Sequence, residues 1–255
     1  MARRGACRGD RGVIHPRRMD RRANIGALRF ALRGAVLEAM PSGALLWPDE
    51  GMLVVSDLHL GKSERMARRG GAFLPPYETR ETLRRLAADV HGTGAGTVLC
   101  LGDSFDDLEA AGNLAGPEVM ALGALMAGRR WIWVEGNHDP GPLPFGGERA
   151  AEVAAGPLLF RHVAAAGRPG AAGEVSGHWH PKIAVAGVSR ACFVIDGARA
   201  ILPAYGAYTG GLHVGHPEID GRMGPEAVAV LTAPEGGRAV AVPLRGAASR
   251  RRRAG

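Results

Sequence analysis

Four short polar motifs recur in one order along this chain: Asp57-Leu58-His59, Gly102-Asp103, Gly136-Asn137-His138-Asp139 and Gly177-His178-Trp179-His180. Together they supply three carboxylates, four histidines and an amide. Imidazole with carboxylate and amide oxygen suits first-row divalent cations of the Mn, Fe or Zn kind. Each motif alone has a plainer explanation. Asp57 or His59 would cap a turn, Gly136-Asn137 suits a β-turn, and His178 and His180 share one face of any extended segment. The ordered set of four points instead to hydrolysis assisted by two cations.

Such ligands need rigid supports. Three of the motifs follow apolar runs that predict strands, at residues 52–55, 98–101 and 131–134, and the fourth follows a weaker run around Val175. Strand ends flanked by glycine let a sheet aim side chains at one point. Upstream, the runs 35–40 and 44–47 flank Pro41-Ser42-Gly43 and predict a hairpin. Residues 61–73 predict a loop and short helix carrying Lys62, Arg65, Arg68 and Arg69. A helix over 78–90 places Leu83, Leu86, Ala87 and Val90 on one face. Residues 104–116 predict a loop, and Pro117 starts a second helix that runs to about Ala127. Strand, helix, strand, helix, strand is the pattern of an α/β unit. After Gly156 only short strands are expected, at 158–162, 174–176, 182–186, 192–195, 200–202, 228–231 and 240–242, with no helix.

The net charge of +7 invites a nucleic-acid reading. Its location tempers that reading. Residues 1–24 carry +6 and residues 245–255 carry +5, which leaves −4 for residues 25–244. The expectation is one domain over 25–244 between two disordered basic tails, with Met19 as an alternative start. Basic tails hold phosphate backbones loosely and without sequence preference. Cys7, Cys100 and Cys192 form no paired motif, which suits a reducing, cytoplasmic protein. The apolar stretch at 119–128 is too short to cross a bilayer, which takes about 20 residues.

The four motifs, from Met52 to His180, resemble the calcineurin-like metallophosphoesterase superfamily. The resemblance implies two β-sheets face to face with helices outside. It also implies one metal on Asp57, His59, Asp103 and His180, and another on Asp103, Asn137, His162 and His178, with Asp103 bridging. Flanking segments narrow the likeness: Leu74-Pro75-Pro76-Tyr77-Glu78-Thr79-Arg80, Cys100-Leu101-Gly102-Asp103-Ser104-Phe105, Trp131-Ile132-Trp133, and Leu202-Pro203-Ala204-Tyr205-Gly206-Ala207-Tyr208-Thr209-Gly210-Gly211-Leu212. Residues 34–214 are similar to the bacterial DNA-ligase-associated metallophosphoesterases, the PdeM family. That likeness implies a Mn-dependent phosphoesterase or nuclease placed in DNA repair beside a DNA ligase and a helicase. One departure is Asp106-Asp107, where such proteins often carry His-Asp; it bears on substrate choice.

The chemistry asks for this arrangement independently. A phosphodiester repels hydroxide. Two cations about 3.5–4 Å apart neutralise it, lower the pKa of a bridging water and clamp the attacking and leaving oxygens. His138 follows a ligand directly and is better placed as general acid, with Asp139 holding its tautomer. Three readings stand: a DNA-directed phosphodiesterase, which is preferred; a small-molecule phosphoesterase acting on cyclic nucleotides or nucleotide-lipid pyrophosphates; and a non-catalytic partner of repair proteins. The cluster of Lys62, Arg65, Arg68 and Arg69 just after the first motif is expected either to face substrate or to form a solvated helix face.

Overall fold

The computed structural model describes residues 26–71, 74–233 and 235–244. The basic tails, Met19 and Cys7 lie outside the described residues. Leu28–Leu32 (β1), Ala35–Ala39 (β2) and Leu45–Trp47 (β3) form an antiparallel meander leading into Met52–Val55 (β4). The expected hairpin is β2–β3. Strand β1 is an addition to the sequence reading. Its turn, Arg33-Gly34, has positive φ at both residues (48° and 92°), which a tight two-residue hairpin requires.

From β4 the sheet becomes parallel, with Thr97–Leu101 (β5), Arg130–Val134 (β6) and Glu148–Ala150 (β7) side by side. Helices Lys62–Arg68 (α1) and Glu78–Thr93 (α2) connect β4 to β5. Leu108–Gly112 (α3) and Gly116–Met126 (α4) connect β5 to β6. The seven strands lie in sequence order. A single residue, Ala151, separates β7 from Glu152–Ala155 (β8), and there the chain passes from the first sheet to the second.

The second sheet adds Leu158–Arg161 (β9), Gly173–Ser176 (β10), Lys182–Val185 (β11), Val188–Ile195 (β12), Arg199–Ile201 (β13), Val228–Leu231 (β14) and Val240–Pro243 (β15). Its order is β15-β14-β12-β13-β10-β9-β8, with β11 paired to β12. Two short helices correct the sequence reading. Residues 104–116 include α3, capped by Asp107 accepting from the Ala110 N–H at 2.7 Å. The second half includes Pro217–Asp220 (α5), with proline in its first turn and His216 as its cap. Neither helix is long enough to show a 3.6-residue period.

Alternation along the parallel strands divides the apolar residues between two cores. In β5, Leu99 and Leu101 point towards Phe160, Val175 and Phe193 of the second sheet. Val98 and Cys100 point the other way, onto Leu83, Leu86, Val90, Leu122 and Leu125 of α2 and α4. The outer face of the second sheet buries Cys192, Val194 and Ala229 against Val214, Ile219 and Met223. The architecture is therefore two facing sheets flanked by helices. Among the described residues, no helix is long and apolar enough to cross a membrane.

Candidate metal centre

The ligand-bearing loops leave the carboxyl ends of β4, β5, β6, β9 and β10 at one edge of the two sheets. Backbone bonds tie them together: Asp57 N–H to Gly102 O at 3.2 Å, His59 N–H to Asp103 O at 3.0 Å, and Gly177 N–H to His162 O at 2.9 Å. Eight described non-glycine residues have positive φ, and five of them are Asp57, His59, Asp103, His178 and His180. A left-handed backbone costs such residues about 1–3 kcal/mol each and persists only where surrounding structure enforces it. Here it turns the chain sharply at each ligand.

Two glycines are required by close approach. A Cβ on Gly136 would overlap the Asp103 backbone nitrogen and carboxylate. A Cβ on Gly177 would overlap the hydroxyl of Ser56 and press on Asp57 Oδ2.

The expected ligands converge in two groups, and His59, Asp106 and His138 make a third possible one. In the first, Asp57 Oδ2 accepts from Ser56 Oγ at 2.5 Å and from His178 N–H at 3.0 Å. This leaves Oδ1 facing His180 Nε2 at 3.1 Å. Asp57 Oδ1, His180 Nε2 and His59 Nε2 are buried without a well-aligned hydrogen bond, and one ligand atom from each residue falls within 4.8 Å of the others. In the second group, His162 Nδ1–H donates to Leu101 O at 3.0 Å, which leaves Nε2 as the ligand atom. Around that Nε2 lie Asn137 Oδ1 at 3.0 Å, His178 Nδ1 at 3.2 Å and Asp103 Oδ2 at 3.3 Å. Four acceptors this close call for a cation among them, so both donor sets fit divalent metals. All seven expected ligands thus lie at one edge. Asp103 stands within ligand distance of the second group only.

The charges agree with this arrangement. Burial opposes the charge of Asp57, yet His180, His162 and Ser56 outweigh it and hold its carboxyl at about 2. Burial likewise opposes a charged His162, but Asp103 and Asp57 raise it to about 9. His178 is lowered by burial and by the His162 charge.

Asp139 departs from its expected role. Its carboxylate accepts from the N–H groups of Asp103 (3.1 Å), Ser104 (2.8 Å), Phe105 (3.1 Å) and Gly136 (3.1 Å) and does not hold His138. Burial, with the Asp103 charge nearby, pushes it up to about 6 against those four donors. The tautomer of His138 is set by Asp106. His138 Nδ1–H donates to the Asp106 carbonyl at 2.8 Å, leaving Nε2 free and 4.0 Å from Asp103 Oδ2. Ser56 is the site residue that sequence reasoning missed, since neither type nor spacing marks it, while Asp106 stands out there only as a departure with an expected bearing on substrate choice.

The α1 cations do not form a free basic patch. Arg65 pairs with Asp106 (2.8 Å) and Asp107 (3.3 Å), and Arg68 with Glu64 (3.1 Å), Asp107 (2.9 Å) and Glu109 (2.6 Å). Arg69 lies 3.4 Å from Asp107, and Lys62 4.0 Å from Asp106. Four cations thus meet four carboxylates. The segment 203–212, remote in sequence, grips the site from behind. Tyr205 and Gly206 donate their N–H groups to the carbonyls of Ser56 (2.8 Å) and Asp57 (3.0 Å), and Leu212 donates to Trp179 O (3.0 Å). Arg85 on α2 donates to the Tyr205 carbonyl and stacks on its ring.

Two solved structures align with this chain, and the first shares its fold. The crystal structure of Pseudomonas putida nuclease MPE aligns with a TM-score of 0.66 and 21% identity, over 85% of this chain and 100% of that one. Yfce, a phosphoesterase from E. coli, aligns with a TM-score of 0.36 and 15% identity, over 76% of this chain and 99% of that one. No curated protein matches the sequence. Residues 52–220, which carry every ligand described above, match the calcineurin-like phosphoesterase family, and the chain belongs to that family.

Proposed function

We propose that this protein is a two-metal phosphodiesterase that cleaves DNA, of the DNA-ligase-associated kind. The observation that carries the reading is the convergence of Asp57, His59 and His180 beside Asp103, Asn137, His162 and His178 at one sheet edge. Two divalent cations there, with Mn the proposed metal, would neutralise the phosphodiester and activate a water. Asp103 is the proposed bridge, as the family motif implies; its Oδ2 lies 3.3 Å from His162 Nε2 in the second group and 4.0 Å from His138 Nε2, and His138 stands beside His59 of the first. Ser56 and the His178 N–H turn Asp57 so that Oδ1 faces the site. His138, its Nδ1 proton engaged by the Asp106 carbonyl, presents Nε2 to protonate the leaving oxygen. Asp139 fixes the Asp103 and Gly136 loops against each other.

A nuclease among the similar folds, the segment 203–212 and the charge of the tails support DNA as substrate. The same reading places the protein in the cytoplasm, alongside a DNA ligase and a helicase, with residues 25–244 as its one domain. A second reading, a small-molecule phosphoesterase, is favoured by the neutralised α1 cluster and the acidic body. The complete ligand set and a correctly presented His138 argue against a non-catalytic partner.

An activity panel with Mn decides between the two substrates: single-stranded and duplex DNA, RNA, cyclic nucleotides and UDP-linked lipids. Preferred cleavage of DNA is expected, with its affinity and salt dependence reduced when residues 1–24 and 246–255 are removed. Turnover of nucleotides alone refutes DNA as substrate. Metal analysis of Asp103→Asn tests the bridge, and loss of both metals is expected. Full occupancy by two metals would remove Asp103 from that role.

A further inference from the structure

We infer that Asp106 is a positioning residue whose carboxylate orients the His59 ring and so strengthens one of the two cation positions, that of Asp57, His59 and His180. The inference rests on the two-cation reading and concerns a residue that no ligand motif contains. Asp106 is 1% exposed. Its Oδ1 lies 2.9 Å from His59 Nδ1, a short contact although not an aligned hydrogen bond, and a proton on Nδ1 would complete it and leave the buried Nε2 for a cation beside Asp57 and His180. Its Oδ2 accepts from Arg65 Nη1 at 2.8 Å. The loop is fixed as well, since the Asp106 N–H donates to Leu60 O at 3.0 Å.

The two cation positions are unequal in this respect. A carboxylate on the far nitrogen of a ligating imidazole fixes its orientation and raises its basicity. His59 has such a partner. His162, in the other group, gives its Nδ1–H to the neutral carbonyl of Leu101 at 3.0 Å, with Asp57 Oδ1 farther off at 3.9 Å. Of these two ligands, His59 alone has a carboxylate at contact distance on its far nitrogen. Arg65 and Lys62 also stand at this carboxylate, 2.8 Å from Oδ2 and 4.0 Å from Oδ1.

The test is calorimetric titration of the metal-free protein with Mn alone. Asp106→Asn keeps the backbone carbonyl that holds His138 but removes the charge behind His59. It should weaken one Mn site by about 10–100-fold and leave the other unchanged. Arg65→Met breaks the same α1 contact while keeping the carboxylate on His59, so both sites should keep their affinity. Wild-type affinity in Asp106→Asn overturns the inference, as does an equal loss in Asp106→Asn and Arg65→Met, which would make Asp106 an anchor for α1 only. Should Asp106→Asn fail to fold, long-range 1H–15N spectra of the metal-free wild type at mildly alkaline pH read the ring directly. A His59 proton on Nδ1 is expected, and one on Nε2 overturns the inference. A wild type that takes up a single Mn refutes the two-cation reading instead, and the Asp106→Asn comparison at that one site still decides the role of Asp106.

Discussion

Asp139→Asn separates the role that the motif suggests for this residue from the one the structure gives it. The carboxylate takes four backbone N–H groups, two on each oxygen: Asp103 and Gly136 on Oδ1, Ser104 and Phe105 on Oδ2. An asparagine retains one acceptor oxygen and turns an NH2 group against the other pair of donors. Two buried N–H groups lose their partner, at about 1–3 kcal/mol each, or about 2–6 kcal/mol in all. For a domain of this size, a loss of that order lowers Tm by on the order of 10 °C. Scanning calorimetry of the metal-free variant measures this. Because the loosened loop carries Asp103, Mn affinity should fall too, and turnover should fall by the same factor on a p-nitrophenyl diester and on an alkyl diester. A residue that merely oriented His138 would behave otherwise. Wild-type Tm with a loss confined to the alkyl diester would refute the loop-stitching argument and restore Asp139 as the partner of His138.

His138→Ala should retain both metals and lose about 10²–10⁴-fold in turnover on alkyl diesters, with a smaller loss on p-nitrophenyl esters, whose leaving group needs no proton. Equal losses on both would assign His138 to positioning. In Gly177→Ala the new methyl group meets Ser56 Oγ and Asp57 Oδ2, and forcing them apart costs about 1–3 kcal/mol. Metal analysis should find the Asp57 position depleted, and full occupancy would show that the loop yields freely. Arg199 is fully buried and bonds Glu174 at 2.7 Å and the carbonyls of Ala165, Gly167 and Arg222 at 2.8–3.0 Å. Arg199→Met leaves the Glu174 carboxylate only the Ala165 N–H at 3.2 Å and Arg161 at 3.8 Å and should cost about 3–5 kcal/mol in urea unfolding, whereas a wild-type midpoint would show that the pair is not needed.

The sequence by itself determined the elements whose signal is local. The apolar runs of β4, β5 and β6 are buried on both faces and end in Asp, Asn and His, so both the strands and their chemistry could be read directly. Helix α2 carries its face at 3.6-residue spacing, and Pro41-Ser42-Gly43 marks the β2–β3 hairpin. Shorter or exposed elements escaped. The charged strands β7 and β8 exist because each finds a sheet edge on which to pair, one on either side of Ala151. Helices α3 and α5 are held by caps rather than by periodicity.

Within the site, residue types gave the candidate ligands, while contacts across the fold decided the partners. Asp139 follows His138 in the chain, yet the turn after β6 sends its carboxylate to the loop after β5, and a carbonyl 32 residues away in sequence takes the His138 proton instead. The basic run on α1 suggested a surface for anions until α3 brought Asp107 and Glu109 against it and Asp106 met it from the same loop. The physical reason is common to both cases. A ligand motif records which atoms are available along the chain. Hydrogen bonds and ion pairs are satisfied in space, by whichever donor and acceptor the packed sheets bring within 3 Å of each other.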